Sequence, residues 1–303
     1  MTTDVLHLSP LSPTVYKDTL AQIDALHGKY HVTARRAWDY IPGYPVRRHF
    51  VLELEPGRVL TRGGQPVVMG NEQVHFLERI LNQREPWPPK KDIFRHLDRW
   101  APADRVQVVG PGPNGKAHWH ELDPRYVTIV VNKAVEIADI RKDIWLTSEG
   151  TACRTHWFRY GVENHLDIAC MSNSDLYKLH PDAPWTHELG GVMGRGDVQP
   201  TPLLLRGGAT ITSMAVHLAY WLGAREIVLC GIDMGDNVYW DYDPTKPLGS
   251  HENEVAEYKA GVYKDFSKYI PLMQELCDWL TADGIRVGTL SPSALQVEEA
   301  QSW

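Results

Sequence analysis

Gly207-Gly208-Ala209-Thr210-Ile211-Thr212-Ser213 opens a stretch that continues through residues 214–222 and then reads Gly223-Ala224-Arg225-Glu226-Ile227-Val228-Leu229-Cys230-Gly231-Ile232-Asp233. The order is loop, helix, tight turn, buried strand. The glycines free a helix start whose unpaired N–H groups attract anions. A short, almost continuously apolar strand follows and delivers Asp233 to its carboxyl end, the edge at which open parallel sheets bind ligands. The stretch therefore predicts a parallel α/β sheet carrying a nucleotide or phosphate site.

The same rhythm extends outward from there. Apolar runs at 106–109, 127–131, 144–146, 168–171, 226–230 and 285–290 read as strands, with helical segments expected between them. Such a series implies a Rossmann-like, doubly wound parallel sheet over residues 103–303. Residues 1–102 carry a different pattern. A helix is expected over 14–26, strands over 50–54, 58–61 and 67–69 around Gly63-Gly64, and a helix over 71–82 before Pro86-Trp87-Pro88-Pro89 breaks the chain. That region reads as a small α+β extension.

Composition narrows the function class. The 303 residues have a formal charge of -7 and no long Lys/Arg run, which argues against an extended nucleic-acid surface. Cys153, Cys170, Cys230 and Cys277 are far apart and form no C-x-x-C pair, so they read as reduced, buried thiols of a cytoplasmic protein. No signal-peptide pattern opens the chain, and no apolar run is long enough to span a bilayer. Eleven Trp and 13 Tyr against 5 Phe supply amphipathic rings that stack on sugars or bases, or simply pack. A homo-oligomer stays open.

Candidate site residues cluster at the expected carboxyl edge. Gly110-Pro111-Gly112-Pro113-Asn114-Gly115 follows the first strand of the sheet, where a glycine-rich turn lets backbone amides approach a phosphate or ribose. It is neither the dinucleotide fingerprint nor a P-loop, because Gly115 comes one position early and no Gly-Lys-Ser/Thr ending follows. Asn132 ends the second strand and serves either a base or sugar hydroxyl or a helix cap. Gly208, Thr210, Thr212 and Ser213 stand at the helix start, as caps or as donors to phosphate.

Beyond Asp233, Asp236, Asp241 and Asp243 alternate with Tyr239, Trp240 and Tyr242. Carboxylates at such a site hold Mg²⁺ together with phosphates, or act as a general base on an acceptor hydroxyl. Asp233 is the first candidate for either role, with His251 and Asp236 next, and a solvated acidic loop is the plainer reading of Asp241 and Asp243. Tyr239 and Tyr242 are candidates for the nucleotide. Arg195 and Asp197, in Gly190-Gly191-Val192-Met193-Gly194-Arg195-Gly196, suit a loop that closes on an anion. His118-Trp119-His120 does not have zinc spacing, so no zinc is expected.

Gly208 to Ser213, Leu218 to Ile227 and Gly231-Ile232-Asp233 together resemble the Maf/MptE-like superfamily. The Gly110-Pro111-Gly112-Pro113 turn, Asn132 and Leu290-Ser291-Pro292-Ser293-Ala294-Leu295 extend the likeness over 106–295. That group includes flagellin-glycosylation proteins, surface-polysaccharide glycosyltransferases and archaeal 6-hydroxymethylpterin diphosphokinases, and is related in fold to a family of bacterial sialyltransferases. The resemblance implies a Rossmann-like nucleotide-binding domain with the Gly-Pro turn, the strand-end Asn and the Thr-Ser helix start around the nucleotide. Pro111 and Gly235 stand where those sialyltransferases carry Asn and Tyr, and no His lies near Phe266-Ser267-Lys268-Tyr269. Sialyl transfer from a cytidylate donor is therefore not the expectation.

Three functions follow. The first is a glycosyltransferase moving a sugar from a nucleotide-activated donor to the hydroxyl of a small-molecule or glycan acceptor. The second is a Mg²⁺-dependent diphosphokinase acting on a pterin-like ring. The third is a catalytically silent nucleotide-binding module.

Overall fold

A computed structural model describes residues 6–7, 26, 28–45, 47, 49–62, 64–70, 74, 77–78, 81–82, 100–147, 155–164, 168–171, 186–189, 191–192, 205–206, 210–235, 239–247, 250, 252 and 269–300. The chain divides into two compact units, Met1–Lys90 with Pro200–Leu204, and Lys91–Gln199 with Leu205–Trp303.

The smaller unit is built on a mixed sheet of β1 (Leu6–His7), β2 (Thr33–Arg36), β3 (His49–Glu55), β4 (Arg58–Val59), β5 (Thr61–Arg62) and β6 (Gln65–Gly70). Its order is β1-β6-β3-β2, with β4 on β3 and β5 on β6. β1 runs parallel to β6, and the remaining pairs are antiparallel. The strand expected over 50–54 lies inside β3. The one expected over 58–61 is two strands, because the chain changes partner at Leu60, which donates to the Leu52 carbonyl of β3 at 2.8 Å and accepts from the Val67 N–H of β6 at 2.9 Å. Ala37, Ile41, Val51 and Val68 close the core beneath.

Residues 74, 77, 78, 81 and 82 have helical backbone, within the helix expected over 71–82. This segment treats the exposed side of β2 as a sheet edge to be covered. Asn82 accepts from the Val32 N–H at 2.9 Å and donates to the Val32 carbonyl at 2.7 Å, while Glu78 accepts from the Ala34 N–H at 2.8 Å. Apart from Leu26, the helix expected over 14–26 falls outside the described residues.

The larger unit contains β7 (Arg105–Val109), β8 (Val127–Val131), β9 (Ile144–Leu146), β10 (Ile168–Met171), β11 (Thr186–Leu189), β12 (Gly191–Val192), β13 (Leu205–Arg206), β14 (Glu226–Cys230), β15 (Arg286–Thr289) and β16 (Glu298–Glu299). Eight of these form one sheet in the order β11-β10-β9-β8-β7-β14-β15-β16, and β12 pairs with β13 apart from it. Every pairing in the large sheet is parallel. The last four residues of β7, β8 and β14 are buried, as strands covered on both faces require. The chain starts at β7, builds outward through β11, then returns to lay β14 on the other side of β7. The order reverses between β7 and β14.

Three α-helices are described in this unit, α1 (His156–Glu163), α2 (Ile211–Trp221) and α3 (Ile270–Ala282). Helical segments expected between β7 and β9 are instead 3-10 turns at Pro113–Ala117, Trp119–Glu121 and Asn132–Glu136. Pro111 and Pro113 remove two donors at the start of the first link, and Asn132 opens the second with a left-handed φ of 47°. Among the described residues no helix is long and apolar enough to cross a membrane.

Trp145 of β9 anchors the core on one face, packed with Val109, Val130, Trp157 and Phe158. α2 ends beside Ala103, whose N–H donates to the Leu222 carbonyl at 2.8 Å, near the amino end of β7. Its beginning, Thr210, therefore stands at the carboxyl edge of the sheet. Cys230 and Cys277 are free and buried, and burial pushes both thiols up to about 12. They stay protonated and inert at neutral pH.

Candidate functional site

The reversal between β7 and β14 brings two strand ends together. Gly231 has a left-handed φ of 66°, and a Cβ placed there would lie 2.4 Å from the Gly110 carbonyl oxygen. A Cβ on Gly112 would lie 2.6 Å from Cγ of Asp233. Only glycine fits either position, since both face backbone or a fixed carboxylate that has no room to yield. The N–H groups of Gly110 and Gly112 donate to the Cys230 and Gly231 carbonyls at 2.8 and 2.9 Å. These amides, expected to approach a phosphate, instead stitch the two turns to each other.

The product of that stitching is the setting of Asp233. Its Oδ2 accepts from the Asn114 N–H at 2.9 Å, while Oδ1 is buried and without a hydrogen-bond partner among the described residues. Burial raises the Asp233 pKa, and the single Asn114 bond opposes the rise. The carboxylate is thus one donor short of what its burial requires. A hydroxyl brought to Oδ1 would supply that donor.

The segment after β15 holds the backbone around this carboxylate. Ser291 accepts the Gly231 N–H at 2.8 Å, and Ser293 donates to the Ile232 carbonyl at 2.6 Å. The Ala294 N–H donates to the Asp233 carbonyl at 3.0 Å. Asn114 adds a fourth tie, from its side-chain amide to the Pro292 carbonyl at 3.2 Å. Asp233 therefore has little freedom to relax toward a partner of its own.

The loop beyond Asp233 folds over the Gly-Pro turn. Trp240 donates its N–H to the Pro111 carbonyl at 3.1 Å, and its ring meets Trp119 edge-on at 5.4 Å. Lys133, wholly buried just past β8, donates to Asp241 Oδ2 at 2.6 Å and lies 5.6 and 5.7 Å from the Tyr239 and Trp240 rings. An ammonium in that position neutralises the acid and draws the ring faces to itself. Asp243 accepts from both the hydroxyl and the N–H of Thr245, which lower its pKa.

These contacts sort the sequence candidates. Gly110, Gly112, Asn114 and Asp233 meet at one point. Asn132 lies at the end of the neighbouring strand, with its side-chain oxygen accepting from Thr147 at 3.1 Å and its carbonyl from Trp145 at 3.1 Å. Thr210 is the N-cap of α2, accepting from the Ser213 N–H at 3.1 Å and sharing a 2.8 Å hydroxyl contact with Ser213. Thr210, Thr212 and Ser213 are all buried. Tyr239 is buried in the loop, whereas Tyr242 is 40% exposed. Gly208, Asp236 and His251 fall outside the described residues, as do Arg195 and Asp197.

Three contributors escaped the sequence reading. Lys133 looked like a strand-end residue, Trp119 like the spacer between two histidines without zinc spacing, and Ser291 had no assigned task. Trp119 Nε1 is buried without a hydrogen-bond partner among the described residues. The usable signal was the isolated Lys just past an apolar strand, which Tyr239, Trp240 and Asp241 of the far loop meet. Among the described residues no group of three or more His, Cys, Asp or Glu side chains stands close enough to hold a metal ion.

No protein-family model matches this sequence, and no curated protein matches it. Among solved structures, the sialyltransferase CstII from Campylobacter jejuni in complex with the substrate analogue CMP-3FNeuAc is similar at 16% identity and a TM-score of 0.42, over 65% of this chain and 86% of that one. The monofunctional α-2,3-sialyltransferase Cst-I from the same organism is similar at 14% identity and a TM-score of 0.40, over 65% of this chain and 82% of that one.

Proposed function

We propose that the larger unit is a glycosyltransferase that takes a sugar from a nucleotide-activated donor and places it on an acceptor hydroxyl, with Asp233 as the group that receives the hydroxyl. The observation that carries the reading is the partner-short carboxylate at the reversal of a parallel sheet, with Oδ1 buried and bare and its pKa raised. A carboxylate of raised pKa is the stronger base, and a fixed one needs no reorganisation before it accepts a proton. The resemblance to the Maf/MptE-like group supports the same choice.

In this reading Asp233 Oδ1 accepts the hydrogen of the attacking hydroxyl while Asn114 steadies Oδ2. The hydroxyl oxygen forms the new bond to the sugar, the bond to the nucleotide breaks, and the nucleotide leaves with the electron pair. Mg²⁺ commonly binds through one or two carboxylates plus substrate phosphates, and Asp233 would hold such an ion through Oδ1 only in place of the acceptor hydroxyl. Asp241 is held by Lys133 and Asp243 by Thr245, so neither is free to join a cluster of acids around an ion. When bound, such an ion would supply neutralisation of phosphate charge.

A thermal-shift panel of CMP, UDP, GDP, ADP and ATP, with and without Mg²⁺, tests the reading, since ligand-linked stabilisation grows with affinity. Stabilisation by CMP, UDP or GDP is the expected result. A shift confined to ATP with Mg²⁺ would favour diphosphate transfer instead, and no shift with any nucleotide would reject both.

A further inference from the structure

The smaller unit has a cleft of its own. It measures about 400 Å³ and is lined by Arg36, Trp38, Tyr44, Pro45 and Arg47. Two guanidiniums, two aromatic rings and a rigid proline line it, and among the described residues no carboxylate does. Neither Arg36 nor Arg47 has an ion-pair partner among the described residues, whereas the adjacent Arg35 is tied to Glu53 at 2.8 Å. The sequence thus places neighbouring arginines in different roles, one holding the sheet and one facing the cleft.

The lining is held from behind. Arg36 ends β2 and leads into a 3-10 turn, Ala37–Asp39, whose Ala37 is wholly buried, as is Ile41 two residues beyond it. Tyr44 packs on that same apolar cluster, and its hydroxyl is hydrogen-bonded to His49 Nδ1. Arg36 lies over the Trp38 ring at 4.8 Å, so the guanidinium is positioned before any ligand arrives. Preorganised donors lose less side-chain freedom on binding.

We propose that this cleft binds a one-ring sugar bearing an anionic oxyacid group, the anion on Arg36 and Arg47 and the ring against Trp38 and Tyr44. Planar guanidiniums match phosphate or carboxylate oxygens in pairs. The partly exposed rings offer apolar surface to sugar C–H groups, with polar tips at the rim. A volume near the lower end of small-molecule sites suits a monosaccharide. The inference is independent of the activity proposed for the larger unit.

Titration calorimetry on the full chain, with glucose 6-phosphate, glucuronate, glucose, inorganic phosphate and AMP, tests it. Saturable binding of glucose 6-phosphate or glucuronate is expected, and the stronger of the two tells phosphate from carboxylate. Glucose and inorganic phosphate should each bind at least tenfold more weakly than that ligand. Arg36→Gln and Arg47→Gln should each weaken it at least fivefold with unchanged melting temperature, since both side chains are exposed. Equal binding of inorganic phosphate, tighter binding of AMP, no binding of either anionic sugar, or full binding by both variants would each overturn the proposal.

Discussion

Asp233 and Glu53 are two carboxylates at sheets, and they are treated in opposite ways. Glu53, 9% exposed on β3, receives hydrogen bonds from the Tyr40 hydroxyl, the Gly57 N–H and the Arg35 guanidinium, and these hold its pKa down at about 2. Asp233 receives one N–H and has its pKa raised by burial. The first is saturated by its own chain, and the second is left wanting a donor. A saturated carboxylate stabilises a fold, and a deprived one is available to a ligand.

Breaking the Asp233 side of this contrast gives the largest effect. Asp233→Asn keeps the shape and removes the basic oxygen, so turnover should fall by about two to four orders of magnitude. Stability moves the other way. A raised folded pKa means that the ionised form is disfavoured by folding above the unfolded value, a penalty absent at lower pH. The Asn variant should therefore melt at or above the wild-type temperature at pH 7. A variant with native turnover, or one that melts well below wild type, would reassign Asp233 to a structural role.

Asp241→Asn comes next. It leaves the wholly buried Lys133 ammonium without its anion, and loss of one partner from such a pair costs about 3 kcal/mol. Urea denaturation should show the loss, with Asp233 chemistry affected only through the displaced loop. An unchanged midpoint would mean that the other contacts of Lys133, the rings of Tyr239 and Trp240 among them, suffice to hold the ammonium.

Gly231→Ala forces a left-handed φ of 66° on a residue with a Cβ and drives that atom into the Gly110 carbonyl. The backbone conformation alone costs about 1–2 kcal/mol, and the contact adds to it. Melting curves measure the sum. Glu53→Gln should have the gentlest effect of these, since an amide oxygen at the Oε1 position still accepts from Tyr40 and Gly57, and the difference from wild type should be fullest near neutrality and close in acid. Wild-type stability from this group is present above about 4.5 and is lost as pH falls toward 2. The variant lacks that acid-range slope, and identical slopes would show that the Tyr40, Gly57 and Arg35 bonds contribute nothing.

The parallel strands were readable because burial on both faces leaves continuous apolar runs, and the expected 127–131, 144–146, 168–171 and 226–230 coincide with β8, β9, β10 and β14. β11 and β16 were not readable. Thr-His-Glu-Leu and Glu-Glu carry no apolar run, and their pairing comes from neighbours already in place. The position of Asp233 just past a strand end was legible, and its burial with one bare oxygen was not. The roles of Gly110 and Gly112 were only half legible: sequence announces a close approach there, but whether the approaching group is a phosphate or another turn depends on a strand more than a hundred residues away. Lys133 was opaque for the same reason, since its anion sits on a distant loop.

The clip formed by Ser291, Ser293 and Ala294 has a consequence in time. Gly231 and Ile232 reach their partners across 60 and 61 positions of sequence. At roughly 5–20 residues per second of synthesis, the strand end carrying Asp233 waits about 3–12 s for the residues that fix it. During that interval the β7 and β14 turns have emerged, but the carboxylate has no settled orientation. The fixed setting of Asp233 thus arises late in the birth of the chain, and any shortening that removes residues 291–294 would return the molecule to that earlier state.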